Sequence, residues 1–243
     1  MPNWCYNTLT IQGPKDQVDN IRKRLNTPYQ KKFDNWNMQT QQMEIQEYLF
    51  PNPVFAFHNI YNHIEDGVTD EQYLQQPDHS LPLKEALMFK GNHWYDWNVR
   101  NWGTKWDVAV SHDDEYPDTE ELEYESKGED NWVVYKFNTA WSPPVPAIIK
   151  LSSLVPNCVV TLDFEEETGW GGETEFVNGE ITAESDYNWK CRECDYAELG
   201  EPPYCEDCEF DMCPSCGYGE PMDEDRAKCQ THGVELANTG KAE

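Results

Sequence analysis

Seven cysteines and one histidine stand in the C-terminal part of the chain as four pairs, the members of each separated by two residues: Cys191/Cys194, Cys205/Cys208, Cys213/Cys216 and Cys229/His232. A gap of two lets a tight turn bring both side chains to one ion, and structural zinc takes four sulfur or nitrogen ligands in a tetrahedron. Eight ligands within 42 residues predict two structural Zn2+ ions. A single Cys-x-x-Cys would also suit a redox pair, and iron or an iron–sulfur cluster would use the same ligand types. Four successive pairs favour zinc. A closed site has no open position for water, so its work would be structural, with the metal supplying much of the folding free energy. The N-terminus, Met1-Pro2-Asn3-Trp4, has neither the basic nor the apolar region of a secretory signal. A cytoplasmic location is therefore expected, and disulfides are not.

Two pairings of the pairs remain open. A sequential scheme puts Cys191, Cys194, Cys205 and Cys208 on one ion and Cys213, Cys216, Cys229 and His232 on the other. A cross-braced scheme joins the first pair to the third and the second to the fourth, which suits the four residues between Cys208 and Cys213. The stretch from Tyr204 to Cys216 resembles the middle of small cross-braced fingers of the ZZ and plant C1-like types. Glu206, Asp207, Glu209 and Asp211 make this module acidic and point to contact with protein rather than DNA.

The charge is the second guide to function. The chain has 18 basic and 46 acidic residues, a net charge of -28. Nucleic-acid binding needs a cationic footprint, so direct binding is not expected. A solvated surface with no partner would account for the acidity. The functional reading is an acidic face that docks a basic protein surface, such as one that normally holds nucleic acid. The first 60 residues are nearly neutral, with five acids and six bases. Residues 113–130 hold ten acids and one lysine, and residues 163–186 hold nine acids and no base.

The elements that must position these groups read as α+β. Asn7 to Ile11 is strand-like and Gly13-Pro14 ends it. Lys15 to Leu25 places Val18, Ile21 and Leu25 at helical spacing. Residues 26–43 are polar, and Met43 to Phe50 and Leu81 to Lys90 suggest short helices. Asp107 to Ser111 is strand-like, followed by an acidic loop. Trp132 to Asn138 alternates as a strand, Pro143 to Leu154 is a helix with its prolines in the first turn, and Val159 to Glu165 is a strand. Thr174 to Ala183 is a hairpin turning on Asn178-Gly179. The order predicts a ferredoxin-like split βαβ domain over 1–189 with a long insertion at 26–103. A zinc module with a flexible tail follows over 190–243.

Four segments together resemble the YubB-like family of ferredoxin-like domains in plasmids and phages, over roughly residues 1–190. They are Asn3-Trp4-Cys5-Tyr6-Asn7-Thr8-Leu9-Thr10-Ile11-Gln12-Gly13, the block Trp94 to Trp106, Phe137-Asn138-Thr139-Ala140-Trp141-Ser142-Pro143-Pro144, and Glu166-Glu167-Thr168-Gly169-Trp170-Gly171-Gly172. The resemblance implies a mobile-element origin and transfers no catalytic residue. Together with the acidic and aromatic surfaces, this makes a phage- or plasmid-type accessory binding protein the expected function, one that docks or inhibits a host or mobile-element protein with a basic surface, such as a nucleic-acid or defence protein; a nucleic-acid-binding accessory protein is the alternative.

The partner surface is expected to use Trp94, Trp97, Arg100, Trp102, Trp106 and Trp141, because tryptophan dominates interface energetics. Asp113, Asp114, Glu120 and Glu121 would supply its charge. An enzyme would have to be built from His93, Asp96 and Arg100, and the sequence shows neither a substrate nor a tuned base beside them. Asp96 and Arg100 could equally be an internal ion pair. His58 and His63 make another polar cluster without metal spacing. Gly169-Trp170-Gly171-Gly172 lacks the lysine of a phosphate loop. Arg22, Lys23, Arg24, Lys31 and Lys32 form a modest basic segment, the footprint that direct nucleic-acid binding would use. Cys5 and Cys158, each alone in a strand-like segment, are expected to be buried thiols.

Overall fold

A computed structural model describes residues 3–75, 91–108, 119–128 and 131–187, and beyond them the backbone of five short strands. The chain opens with β1 (Trp4–Gly13) and α1 (Lys15–Leu25), whose Val18, Ile21 and Leu25 are buried as their spacing requires. Next come the hairpin β2 (Tyr29–Asn37) and β3 (Gln42–Phe50), then α2 (Phe57–Ile60), α3 (Asp70–Leu74) and α4 (Trp94–Trp102). The chain then forms β4 (Glu120–Glu125), β5 (Asn131–Ala140), α5 (Val145–Leu154) and β6 (Val159–Glu166). A hairpin of β7 (Gly171–Val177) and β8 (Glu180–Tyr187) completes the main sheet.

That sheet has the order β4-β5-β1-β6-β7-β8, every neighbouring pair antiparallel. Each helical crossover skips a strand. From β1 through α1 to β4 the chain leaves room for β5, and from β5 through α5 to β6 it leaves room for β1. This is the split βαβ arrangement expected from the sequence, extended at one edge by β7 and β8. The turn between them is the expected Asn178-Gly179, with φ of 51° and 83°.

The core lies between one sheet face and α1, α5 and the insertion. Leu9, Ile11, Val133, Tyr135, Phe137, Val160 and Leu162 point into it, as alternation along half-buried strands demands. Phe55 from the insertion stacks on Phe137 with centroids 4.9 Å apart. Cys5 and Cys158 are buried thiols, as expected, and burial pushes them up to about 12 and about 11.

Three expectations about elements need correction. Met43 to Phe50 is a strand, not a helix, because it pairs residue by residue with β2. Glu120 to Glu125, expected in an acidic loop, is the edge strand β4. It is held by Arg22, which bonds both oxygens of Glu121 at 2.7 and 2.8 Å, and by the Tyr124 hydroxyl donating to Asp19. Charged residues suit an exposed sheet edge, where they discourage pairing with another chain. Asp107 and Val108 are not in a strand; the rest of that expected strand and the helix expected at 81–90 lie outside the described residues.

Candidate functional site

Helices cover one face of the sheet, and the alternate residues of the same strands make the other. The register places Lys136, Thr8, Asp163 and Glu173 in one row across β5, β1, β6 and β7. The next row is Asn138, Tyr6, Glu165 and Gly171, and on the other side run Val134, Thr10, Thr161 and Glu175. Side chains directly opposite on antiparallel strands are about 5 Å apart at Cβ, and like charges there destabilise the sheet. Asp163 and Glu173 are such a pair, with Glu165 and Glu175 diagonal to them. Lys136, the cation of the row, sits 3.9 Å from Glu120 on the opposite side.

A furrow of about 330 Å³ runs along this face, lined by Tyr6, Thr8, Lys136, Asp163, Glu165 and Tyr187. Glycine opens it: a Cβ at Gly171 or Gly172 would collide with the backbone of Phe164 or Ser185 and with the Tyr187 or Asp186 side chain. These glycines therefore serve close packing of β6, β7 and β8, and no phosphate loop is formed.

An aromatic rim adjoins the face. Trp4 and Tyr6 alternate with buried Cys5, and the Trp4 ring lies 6.3 Å from Trp106. Trp106 is 40% exposed and Trp141 44%. The Lys105 ammonium sits 4.3 Å from the Trp106 ring centroid, 5.3 Å from Trp141 and 6.0 Å from Trp94. Trp141 has a left-handed backbone, φ 71°, and its N–H donates to the Asn3 carbonyl. A non-glycine residue in that region carries strain of order 1 kcal/mol or more, accepted here at the corner that leaves the indole in solvent.

The residues expected at the partner surface thus separate. Trp94, half-buried, and Trp106 and Trp141 reach this rim. Trp97 (0% exposed) and Trp102 (1%) do not: both are core residues, their indole N–H groups donating to Asp66 and to the Tyr61 carbonyl. Helical spacing turns them inward while Tyr95 and Val99 of the same helix stay exposed. Arg100 donates to the Gly91 carbonyl rather than pairing with Asp96. Glu121 is half-buried against Arg22, so Glu120 is the more available of the two. Asp113 and Asp114 lie outside the described residues, as do seven of the eight zinc ligands; of Cys205 only the backbone, in a short strand, is described. Among the described residues there is no cluster of three or more His, Cys, Asp or Glu able to hold a metal.

An acidic face was expected from the sequence, but not which residues make it. The charge run at 163–186 was visible, but only strand register shows which of its carboxylates share a side. The basic segment is largely spent within the fold. Arg22 binds Glu121, Arg24 donates to the carbonyls of Asn59 and Ile60, Lys32 binds Asp70, and Lys31 is enclosed by aromatic rings. His93 precedes α4, and burial lowers its pKa. No helix among the described residues is long and apolar enough to cross a membrane.

Residues 105–209 match the family model for the ferredoxin-like domain in Api92-like protein. The match starts within the tryptophan block and runs through the first two cysteine pairs. The crystal structure of protein api92 from Yersinia pseudotuberculosis aligns at 10% identity with a TM-score of 0.41, over 77% of this chain and 98% of that one. No curated protein matches. This part of the chain is thus similar to the ferredoxin-like domain of Api92-like protein, within an α+β fold whose sheet has the split βαβ order.

Proposed function

We propose that this is an accessory binding protein of a mobile element, and that its open sheet face docks a basic surface on a host nucleic-acid or defence protein. The observation that carries the reading is the placement of Asp163, Glu165, Glu173 and Glu175 on one solvent face. Like charges side by side oppose folding, whereas a cationic partner converts the same repulsion into attraction. The aromatic rim of Trp4, Tyr6, Trp106 and Trp141 supplies contact area beside the charge, the combination found where a few large side chains anchor an interface. The same field repels phosphate, so direct nucleic-acid binding is disfavoured.

The test is capture of basic proteins from a bacterial host extract by the wild-type chain and by a variant carrying Asp163→Asn, Glu165→Gln, Glu173→Gln and Glu175→Gln. Docking through this face requires that a captured partner be lost from the variant, be released by salt and be displaced by duplex DNA. Equal capture by both chains would remove the assignment.

We also propose that the C-terminal module holds two structural zinc ions. The short strands support this. Lys190 pairs with Ala197, Cys205 with Phe210 and Met212 with Gly219. The segments that join these antiparallel pairs contain Cys191/Cys194, Cys208 and Cys213/Cys216 respectively. The strand Phe210–Met212 separates the second cysteine pair from the third. Both the sequential and the cross-braced scheme assign these two pairs to different ions. Metal analysis should give two zinc ions per chain, and Cys213→Ala should lower that number; a refolded chain with fewer than two would contradict it.

A further inference from the structure

We propose that the cavity between the β2–β3 hairpin and the α2–α3 segment binds a small anion of carboxylate or phosphate type, held by Lys31 and His58. The cavity measures about 180 Å³ and is lined by Lys31, Lys32, His58, Asn62, His63 and Asp70, with Glu47 of the hairpin on the same lining. Lys31 is only 6% exposed, yet its ammonium group has no ion pair or hydrogen bond among the described residues. What surrounds it is aromatic: its Nζ lies 4.9 Å from the Trp102 ring centroid, 5.2 Å from Phe33 and 5.5 Å from Tyr73. Ring faces attract a cation but bring no full countercharge. Asp70, the carboxylate that could do so, is already shared by Lys32 at 2.7 Å and His63 at 3.0 Å.

A second group in the same cavity points the same way. The His58 ring stacks on Tyr29 with centroids 4.1 Å apart, and its Nδ1 is buried without a hydrogen-bond partner. Buried polar atoms in native proteins are nearly always satisfied, by protein, water or ligand. Burial, with Lys31 and His63 acting in the same direction and Asp107 opposing, lowers His58 to about 4. The neutral imidazole has one N–H to donate. A cation without a countercharge and a ring nitrogen without a partner, on one enclosed lining, make an anion site. The volume falls below the ~300 Å³ of drug-sized pockets, which admits inorganic phosphate or a short carboxylate and excludes a nucleotide. This site is separate from the acidic sheet face and does not depend on the function proposed for it.

The experiment titrates the full chain with inorganic phosphate, acetate and succinate, with chloride as the control, while the ring signals of His58 and His63 are followed by NMR. Saturation by phosphate alone assigns a phosphate-type ligand, saturation by acetate or succinate a carboxylate, and either supports the proposal. Lys31→Met should weaken binding at least tenfold, and Lys31→Arg should retain most of it. His58→Gln gives a second variant should Lys31→Met fail to fold, and it too should weaken binding. Absence of a saturable shift at concentrations well above a millimolar Kd, or affinity unchanged in both Lys31→Met and His58→Gln, would overturn the proposal.

Discussion

The two faces of the six-stranded sheet are made by alternate residues of the same strands. One face presents Val133, Tyr135 and Phe137 of β5 to the helices, all fully buried. The other presents Trp132, Val134 and Lys136 to solvent and continues across β6 and β7 into Asp163, Glu165, Glu173 and Glu175. The buried face gains by removing apolar area from water. The acidic face sets Asp163 and Glu173 directly opposite each other, a like-charge pair that opposes folding, while Glu175 accepts a hydrogen bond from Thr182. The proposed division follows from this difference, with stability assigned to one face and docking to the other.

The largest expected effect lies on the buried face. Phe137→Ala should destabilise the chain by about 3–5 kcal/mol in denaturant unfolding, and Trp102→Ala by a similar amount, because each leaves a cavity among packed rings. If Trp102→Ala were neutral, the division of the tryptophans into core and rim would fail.

Next is the pH dependence of stability. His58 and His63 have lowered pKa values, His58 about 4, because burial disfavours their charged forms. The unfolded chain takes up their protons near pH 6.5, while the folded chain does not. Their neutral burial therefore costs nothing above about pH 6.5, and stability falls as the pH drops from there toward about 4. Asp19 (about 2), Asp66 and Asp70 are lowered by their bonds to Lys15, Tyr61 and Lys32. Their contribution is present above the unfolded pKa of about 3.9 and is lost below it, a separate, more acidic window. Unfolding followed from pH 7 to pH 3 should show both phases, and His58→Gln should shrink only the first.

The acidic face should behave in the opposite way to the core. Replacing Asp163, Glu165, Glu173 and Glu175 by their amides should leave the melting temperature unchanged or raised, while a captured partner binds at least tenfold more weakly, about 1.4 kcal/mol. The smallest effect on folding is expected at Trp141. Trp141→Gly relieves the left-handed backbone, so stability should stay within about 1 kcal/mol of wild type, while partner binding falls with the indole.

Much of the scaffold was legible in the sequence. Val18, Ile21 and Leu25 announce α1, the alternation of residues 132–138 announces β5, and Asn178-Gly179 fixes the β7–β8 turn. The misread elements share a cause. In Met43 to Phe50 the apolar Met43, Ile45 and Leu49 lie on the exposed side of the hairpin, so the pattern of hydrophobic residues does not follow burial. Glu120 to Glu125 has weak strand propensity and becomes a strand through Arg22 and β5, contacts distant in sequence. Trp97 and Trp102 looked like surface anchors because density of tryptophan does not tell which way a helix is turned. The membership of the acidic face was hidden for the same reason: charge runs are local, whereas a face is assembled by register. His58 and His63 were visible as a polar pair, but Lys31 joins them only through the fold.

Carboxyl-group labelling of the chain, alone and bound to a captured partner, with the modified sites read by mass spectrometry, tests the central claim most directly. Docking through the open face requires that Asp163, Glu165, Glu173 and Glu175 be protected in the complex while Glu44 on the β2–β3 hairpin labels as in the free chain. Protection confined to other carboxylates, with these four labelled equally in both states, would contradict it.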